Sequence, residues 1–383
     1  MIAGPAPPDR AASAASPLAF PGSGAAAPPE MRLTPLPLRA PEPPDNPGTA
    51  EKIALGRLLF FDPILSSTRD VSCATCHSPR WGWGDARPVP IGVGGAGVGP
   101  ARMFVGPSSL PVLLRNTPTL LNVGFNGLVS GAEPAAAAAP MFWDSRASGL
   151  ESQVAIPIAM VGEMSGAGHQ ERDPMAEAVR RVQDIPDYRE RFRKAFEPRA
   201  GQAVTPEHLA QAIAAFERSL ITPRAAIDRF LQGDTMALSA EQQRGLRVFQ
   251  DAGCVHCHGG PMFSDFKTHY VGVPDSSPGG QRAFRTPTLR NLRYTAPYMH
   301  NGSLRTLREV LTFYDGLAEA VTETLEGGGA SDRPPLDPLL KSMRLSDEDF
   351  PALESFFDSL SDATYDTSAP STVPSGLPLE STR

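Results

Sequence analysis

The sequence predicts a mostly α-helical protein, built as two domains with long loops. Three observations lead there. Apolar residues recur at helical spacing behind residues that favour helix starts. No stretch alternates apolar and polar residues as a half-buried strand would. A five-residue motif occurs once in each half, as Cys73-Ala74-Thr75-Cys76-His77 and Cys254-Val255-His256-Cys257-His258. This C-x-x-C-H pattern is the attachment signature of a c-type haem. Two thiols add to the porphyrin vinyl groups, and the adjacent imidazole binds the iron from the proximal side. These are the only cysteines in the chain, so none is left for a disulfide, a zinc site or a nucleophile. A redox or zinc pair would explain one C-x-x-C but not the His that follows both copies. The expectation is two covalently bound haem c groups, each in a cytochrome c-like domain.

Composition narrows the function. A chain of 383 residues suits about two or three domains, and 41% hydrophobic residues is enough for globular cores. No run approaches the ~20 apolar residues of a membrane span. The net charge of -7 argues against a nucleic-acid partner. It suits a basic protein partner such as a small cytochrome, and equally an ordinary acidic surface. Covalent haem attachment in bacteria takes place outside the cytoplasmic membrane, so a periplasmic location is expected. Residues Met1 to Ser23 nevertheless lack a basic segment followed by an apolar one, so no clear signal peptide is present. The start of the chain is then expected to be misplaced or trimmed.

The elements follow in order. Prolines crowd residues 1–47 among Ala, Gly and Ser, which predicts a disordered leader. Order should begin near Thr49, with Ile53, Leu55, Leu58 and Leu59 on a helix that ends at Asp62-Pro63. The Gly-rich stretch from Ile91 to Pro100 reads as loop. Asp173-Pro174 opens a helix through about Val182, and Thr205-Pro206 opens one with Leu209, Ile213, Phe216 and Leu220 on one face. Capping boxes at Ser239/Gln242 and Thr306/Glu309 open two more. A last helix is expected from Ser346 and Asp349, with Phe350, Leu353, Phe357 and Leu360 inward. The domains are therefore a leader at 1–47, an N-terminal haem domain at 48–235, a C-terminal haem domain at 236–362 and a disordered tail at 363–383.

Several segments resemble the bacterial di-haem cytochrome c peroxidase and MauG family. Phe142-Trp143-Asp144-Ser145-Arg146-Ala147 with Leu150-Glu151-Ser152-Gln153 is similar to the family's F-W-D-x-R-A…L-E-x-Q stretch. Arg285-Thr286-Pro287-Thr288-Leu289-Arg290-Asn291, then Thr295 through Ser303, resembles P-T-L-R-N…T-A-P-Y-x-H-[DN]-G-S. Asn116-Thr117-Pro118-Thr119-Leu120 resembles R-N-x-P-T-L. The likeness runs from about residue 50 to about 360.

The resemblance implies roles. His77 would be the proximal ligand of a high-spin haem where hydrogen peroxide binds. Gln153, Pro157 and Glu163 match distal-pocket positions, with Glu163 the acid–base residue and Gln153 orienting the peroxide or capping a loop. Trp143 takes the place of the inter-haem tryptophan, and a buried structural role is compatible with that. Trp81 and Trp83 would pack at a haem edge. His258 would be the proximal ligand of a low-spin haem whose sixth ligand falls on Tyr314, with Met299 or Met262 as alternatives. His300 would bond a haem propionate. A Ca2+ ion would be held by the Asn116 side chain and the Thr295 and Pro297 carbonyls.

Two departures stand out. No His lies between His77 and His169, so the first haem should be open in the oxidised state unless His169 reaches it. The position of MauG's surface tryptophan is Ala252 here. The resemblance thus implies reduction of hydrogen peroxide, with electrons from a small redox protein such as a cytochrome c or cupredoxin. A MauG-like oxidase acting on a protein substrate is the alternative, and a non-catalytic di-haem electron carrier is the third. Family members are often homodimers.

Overall fold

The computed structural model describes residues 32–167, 173–196, 204–275, 283–317 and 335–379. His169 lies outside them. The helices start where side chains can satisfy the free N–H groups of a first turn. Thr49 accepts from the Lys52 N–H and opens α1 (Ala50–Phe61), which stops at Asp62-Pro63. The first Cys-x-x-Cys run is itself a single turn, α2 (Cys73–Cys76). Helices α3 (Leu150–Gln153) and α4 (Ala155–Ala159) follow Trp143. Asp173 caps α5 (Pro174–Gln183), and α6 (Pro186–Phe196) follows it. Thr205 caps α7 (Pro206–Arg218). The short α8 (Ala226–Leu231) precedes α9 (Ala240–Asp251), whose Ser239/Gln242 capping box is formed. Thr306 and Glu309 box the start of α10 (Leu307–Asp315). The last helix, α11 (Phe350–Ser359), begins later than expected. Residues Asp347–Asp349 make a 3-10 turn instead. Pro351 explains this, because a proline is tolerated in a helix's first turn but breaks its second.

Among the described residues, strands are confined to three antiparallel pairs of two residues each: β1 (Gly95–Ala96) with β2 (Met103–Phe104), β3 (Pro140–Met141) with β4 (Ala147–Ser148), and β5 (Thr268–His269) with β6 (Phe284–Arg285). The protein is mostly α, as the sequence predicts.

Two hydrophobic cores are built on the same crossing. In the first, α1 lies on α7, with Leu55, Leu59, Phe60, Trp83, Ile213 and Phe216 buried. In the second, α9 lies on α11, with Leu246, Phe249, Phe263, Leu353 and Phe356 buried. Each crossing is closed by a glycine. A Cβ on Gly56 would sit 1.9 Å from the Ala212 carbonyl oxygen, and one on Gly245 would sit 2.0 Å from that of Ala352.

Three expectations about boundaries need correction. The second core takes in Ala225, Ile227 and Phe230, so the change of core lies before α8 and not at 235/236. The buried Asp228 of α8 fixes it there by receiving two hydrogen bonds, 2.9 and 2.7 Å, from Arg290 of the second half. The leader is ordered over residues 32–47, where Leu36 is buried and donates its N–H to Asp228. Asn46 is buried at the other end of that segment and accepts from Lys52 Nζ. The tail is described through residue 379 and returns to the first core, burying Val373 and Leu379. Ser375 donates to Asp62, and Trp83 donates its indole N–H to the Asp366 carbonyl at 2.9 Å. Composition misreads both segments because a few apolar residues docked at fixed points offset the chain entropy of the rest.

Gly56→Ala and Gly245→Ala should each destabilise the haem-loaded protein by about 3 kcal/mol, the upper range for overpacking. The displacement of the urea unfolding midpoint measures this.

Candidate functional site

Both motif histidines are held in the same way. His77 Nδ1 lies 3.1 Å from the Trp83 carbonyl oxygen, and His258 Nδ1 lies 2.9 Å from that of Phe263. A carbonyl only accepts, so Nδ1 carries the proton and Nε2 is left to bind a metal. Burial keeps both rings neutral, pulling His77 down to about 4 and lowering His258 as well.

The supporting loops repeat too. Thr117-Pro118-Thr119-Leu120-Leu121-Asn122 recurs as Thr286-Pro287-Thr288-Leu289-Arg290-Asn291. Thr119 donates its hydroxyl to the Gly82 carbonyl and accepts from the Leu121 N–H. Thr288 does the same with the Met262 carbonyl and the Arg290 N–H. The equivalence of the two runs emerges from these matching hydrogen bonds.

His77 and His258 open onto one continuous cavity of about 370 Å³. Cys76, Cys254 and Cys257 line it, and Cys73 lines an adjoining space of about 60 Å³ with His77. Burial raises the thiol of Cys73 and takes that of Cys254 up to about 12. Paired thiols and a pre-oriented imidazole on an apolar cavity fit a covalent haem at each motif.

Gln153, Pro157 and Glu163 face the His77 end of this cavity. Gln153 comes from α3 and Pro157 from α4. Glu163 sits in a π-turn, Val161–Ser165, seated by the Gly-rich loop. The Val93 N–H donates to the Glu163 carbonyl at 3.1 Å, and a Cβ on Gly92 would lie 2.3 Å from that oxygen. Buried Arg102 braces the loop through the carbonyls of Ile91, Gly92 and Gly97. The glycines read as loop composition thus form the wall behind Glu163. Burial raises the Glu163 carboxyl, and Arg146 opposes that, so it can hold a proton.

Trp143 lines the cavity and joins the two halves. Its indole N–H donates to the Asn116 carbonyl at 2.8 Å, and its own carbonyl accepts from Arg285 at 2.7 Å. Neither Trp81 nor Trp83 lines the cavity. Trp83 is fully buried among Phe60, Phe61 and Phe216. It acts on the site through its carbonyl on His77, not as haem-edge packing.

At the other end, Tyr314 of α10 and Met299 line the cavity with His258. Burial raises the Tyr314 hydroxyl. Met262 is removed as a ligand candidate, because it packs with Leu36, Phe125 and Phe266 in a separate cluster. Ala252 is buried at the end of α9, so that position offers no exposed group. His300 is buried, stacks on Phe284 at 3.8 Å, and has an Nε2 without a hydrogen-bond partner. Burial pulls it down to about 4. Asn116, Thr295 and Pro297 share the cavity. Asn116 Nδ2 donates to the Arg87 and Pro88 carbonyls, which leaves Oδ1 as the atom suited to a hard cation.

A buried carboxyl beside the first motif is not marked by any motif in the sequence. Glu217 of α7 is 5% exposed, and its Oε2 has no hydrogen-bond partner. It borders the 60 Å³ space together with Glu163 and Cys73. Burial moves it from the ordinary 4.5 up to about 8, against the pull of Arg218. Its only signal in the sequence is a Glu one turn beyond Ile213, on a helix face otherwise read as core.

Comparison with known proteins gives concordant results. A family model described as di-haem cytochrome c peroxidase matches residues 50–236. The methylamine utilization protein MauG of Methylorubrum extorquens is 33% identical over 337 residues, covering 85% of this chain and 82% of that protein. Cytochrome c551 peroxidase of Pseudomonas aeruginosa is 35% identical over 295 residues, covering 72% and 75%. A solved MauG-like protein associated with microbial copper homeostasis superposes with a TM-score of 0.65 at 27% identity, covering 89% of this chain and 97% of that one.

Glu217 carries a pH signature. A raised folded-state pKa gives stability that is full below the unfolded value and lost as pH rises through the folded one. Stability should therefore fall between about pH 5 and about pH 9, and Glu217→Gln should flatten that fall. Unfolding midpoints of parent and variant across this range are the measurement.

Proposed function

The chain belongs to the di-haem cytochrome c peroxidase family, and we propose that it reduces hydrogen peroxide to water at the His77 end of its cavity. It is a peroxidase-type oxidoreductase. Cys73, Cys76 and His77 would hold one haem c, in the N-terminal domain. Cys254, Cys257, His258 and Tyr314 would hold the other, in the C-terminal domain. When bound, the first haem supplies an iron position open to a peroxide oxygen, and the second supplies a store for electrons on their way to it.

The observation that carries this reading is the single cavity that both motif histidines line, with the Glu163 carboxyl and the Gln153 amide also lining the smaller space beside His77. Glu163 takes the proton from the inner peroxide oxygen and returns it to the outer one, so that water leaves. Its raised affinity for a proton suits both steps. Gln153 orients the peroxide by hydrogen bonding, and Pro157 fills the wall beside it. Trp143 offers the path between the two ends. Overall, one peroxide, two protons and two electrons give two waters. The electrons come from a small redox protein, a cytochrome c or cupredoxin, in the periplasm. A Ca2+ ion at Asn116, Thr295 and Pro297 would tie the two halves beside Trp143. His300 would serve the haem edge from its buried nitrogen. No helix among the described residues is long and apolar enough to cross a membrane.

A second reading is favoured by Tyr314, which faces the cavity where an anionic oxygen ligand would stabilise high iron oxidation states. That reading is a MauG-like oxidase acting on a partner protein. Buried Ala252 speaks against oxidation through that part of the surface.

The ferric protein should show one high-spin and one low-spin EPR signal, with the high-spin signal responding to peroxide. Glu163→Gln should slow the peroxide reaction by about 10²- to 10⁴-fold with the signals otherwise kept. Tyr314→Phe should change the low-spin signal alone. Two low-spin haems that ignore peroxide, even after one-electron reduction, would overturn the proposal.

A further inference from the structure

The peroxide chemistry above makes no use of a charged cluster at the far rim of the cavity. His269 of β5 lies between two carboxylates. Its Nε2 is 3.0 Å from Asp265 Oδ2, and its Nδ1 is 2.6 Å from Asp337 Oδ2. The three side chains are only 11%, 12% and 19% exposed. Carboxylates accept and do not donate, so both ring nitrogens carry protons and the ring is an imidazolium. The hydrogen bonds that His269 donates to Asp265 and Asp337 raise its hold on the second proton above that of an ordinary imidazole. Two carboxylates and one imidazolium leave a net single negative charge. The trio sits against the second haem motif, with Cys257 Sγ and the ligating atoms of Asp265 and His269 all within 4.8 Å of one another. These atoms do not make a metal site, because both ring nitrogens are already held by carboxylates and the sulfur belongs to the haem motif.

We propose that the Asp265–His269–Asp337 trio is a fixed electrostatic group that lowers the reduction potential of the haem carried by Cys254, Cys257 and His258. This rests on the assignment of a haem to that motif. Reduction of a haem held there would add one electron, taken from the redox donor, and would turn its ferric iron ferrous. A sparsely hydrated negative charge beside the macrocycle opposes that added electron, more strongly than the same charge would in water. The electron is then released more readily towards the His77 end, where peroxide is the acceptor, and no proton moves at the trio.

The trio also positions the wall around Tyr314. Asp337 receives the Leu339 N–H at 2.9 Å, and its own N–H donates to the Tyr270 carbonyl at 2.9 Å. Leu336, Leu340 and Met343 of this segment pack with Tyr314. The charge effect and the positioning effect separate under one substitution. Asn at position 337 keeps the shape and still accepts from His269 Nδ1, so a purely structural role predicts no change in potential.

The test is a spectroelectrochemical titration of the full haem-loaded chain, with the haem-to-protein ratio measured first. Asp337→Asn should move the midpoint of the His258-side haem to a more positive potential, while that of the His77-side haem stays in place. Asp337→Glu should restore the parent value. If Asp337→Asn yields no folded holoprotein, Asp265→Asn must give the same positive shift. Two haems with an unmoved or more negative midpoint overturn the trio's role alone. A wild-type protein with one covalent haem overturns the haem assignment and the proposal with it.

Discussion

At Thr222 a single side chain is bonded from both halves of this protein at once. Asn122 and Asn291 occupy equivalent places in the repeated loops, and both adopt left-handed backbone with φ near +65° and +64°. Both are fully buried and both reach Thr222. Asn122 Nδ2 donates to its hydroxyl at 2.6 Å, and Asn291 Nδ2 donates at 2.9 Å. The Thr222 N–H answers Asn122 Oδ1 at 2.7 Å, and Asn291 Oδ1 takes the Asp362 N–H. Buried polar groups left unpaired are costly, so such a network holds only one arrangement. It links the loops behind His77 and His258, because each Asn ends the loop that backs its own histidine.

The equivalence of the halves makes their differences informative. The proximal sides match, with Nδ1 on a carbonyl and a Thr-Pro-Thr-Leu loop behind it. The facing walls do not. The His77 end meets α3, α4 and the turn carrying Glu163, which put an amide and a proton-holding carboxyl into the cavity. The His258 end meets α10 and the segment around Asp337, which put Tyr314 and a buried anionic trio there. One scaffold thus presents different side chains at its two ends, a carboxyl and an amide near His77 and a tyrosine near His258.

Extended segments finish both cores. The leader runs from Leu33 on the second core, through Leu36 in the cluster with Met262, to Asn46 beside α1. The tail runs the other way, from α11 to Asp62 and Trp83. Because the Trp83 carbonyl holds His77 Nδ1, the tail braces the first motif histidine from the opposite end of the chain.

The sequence by itself determined what is local or covalent. It carries both Cys-x-x-Cys-His motifs, because five adjacent residues suffice to spell one. It set the starts of α1, α5, α7, α9 and α10, because caps act within one turn. The family motifs brought Gln153, Glu163, Trp143 and Tyr314 into view, and all four face the cavity. Tertiary structure alone decided what depends on distant partners. Pro-rich and Ser/Thr-rich composition could not foretell that Leu36 and Val373 find docking sites. Ser346 could not open the last helix, because Pro351 sets its start. Glu217 is chemically notable only because packing against the first motif strips it of water. His269 and Asp337, 68 residues apart, become one charged group only when the chain has folded. Separation along the chain is the physical reason: propensity and capping decay within a few residues, whereas burial and charge depend on what is brought near in space.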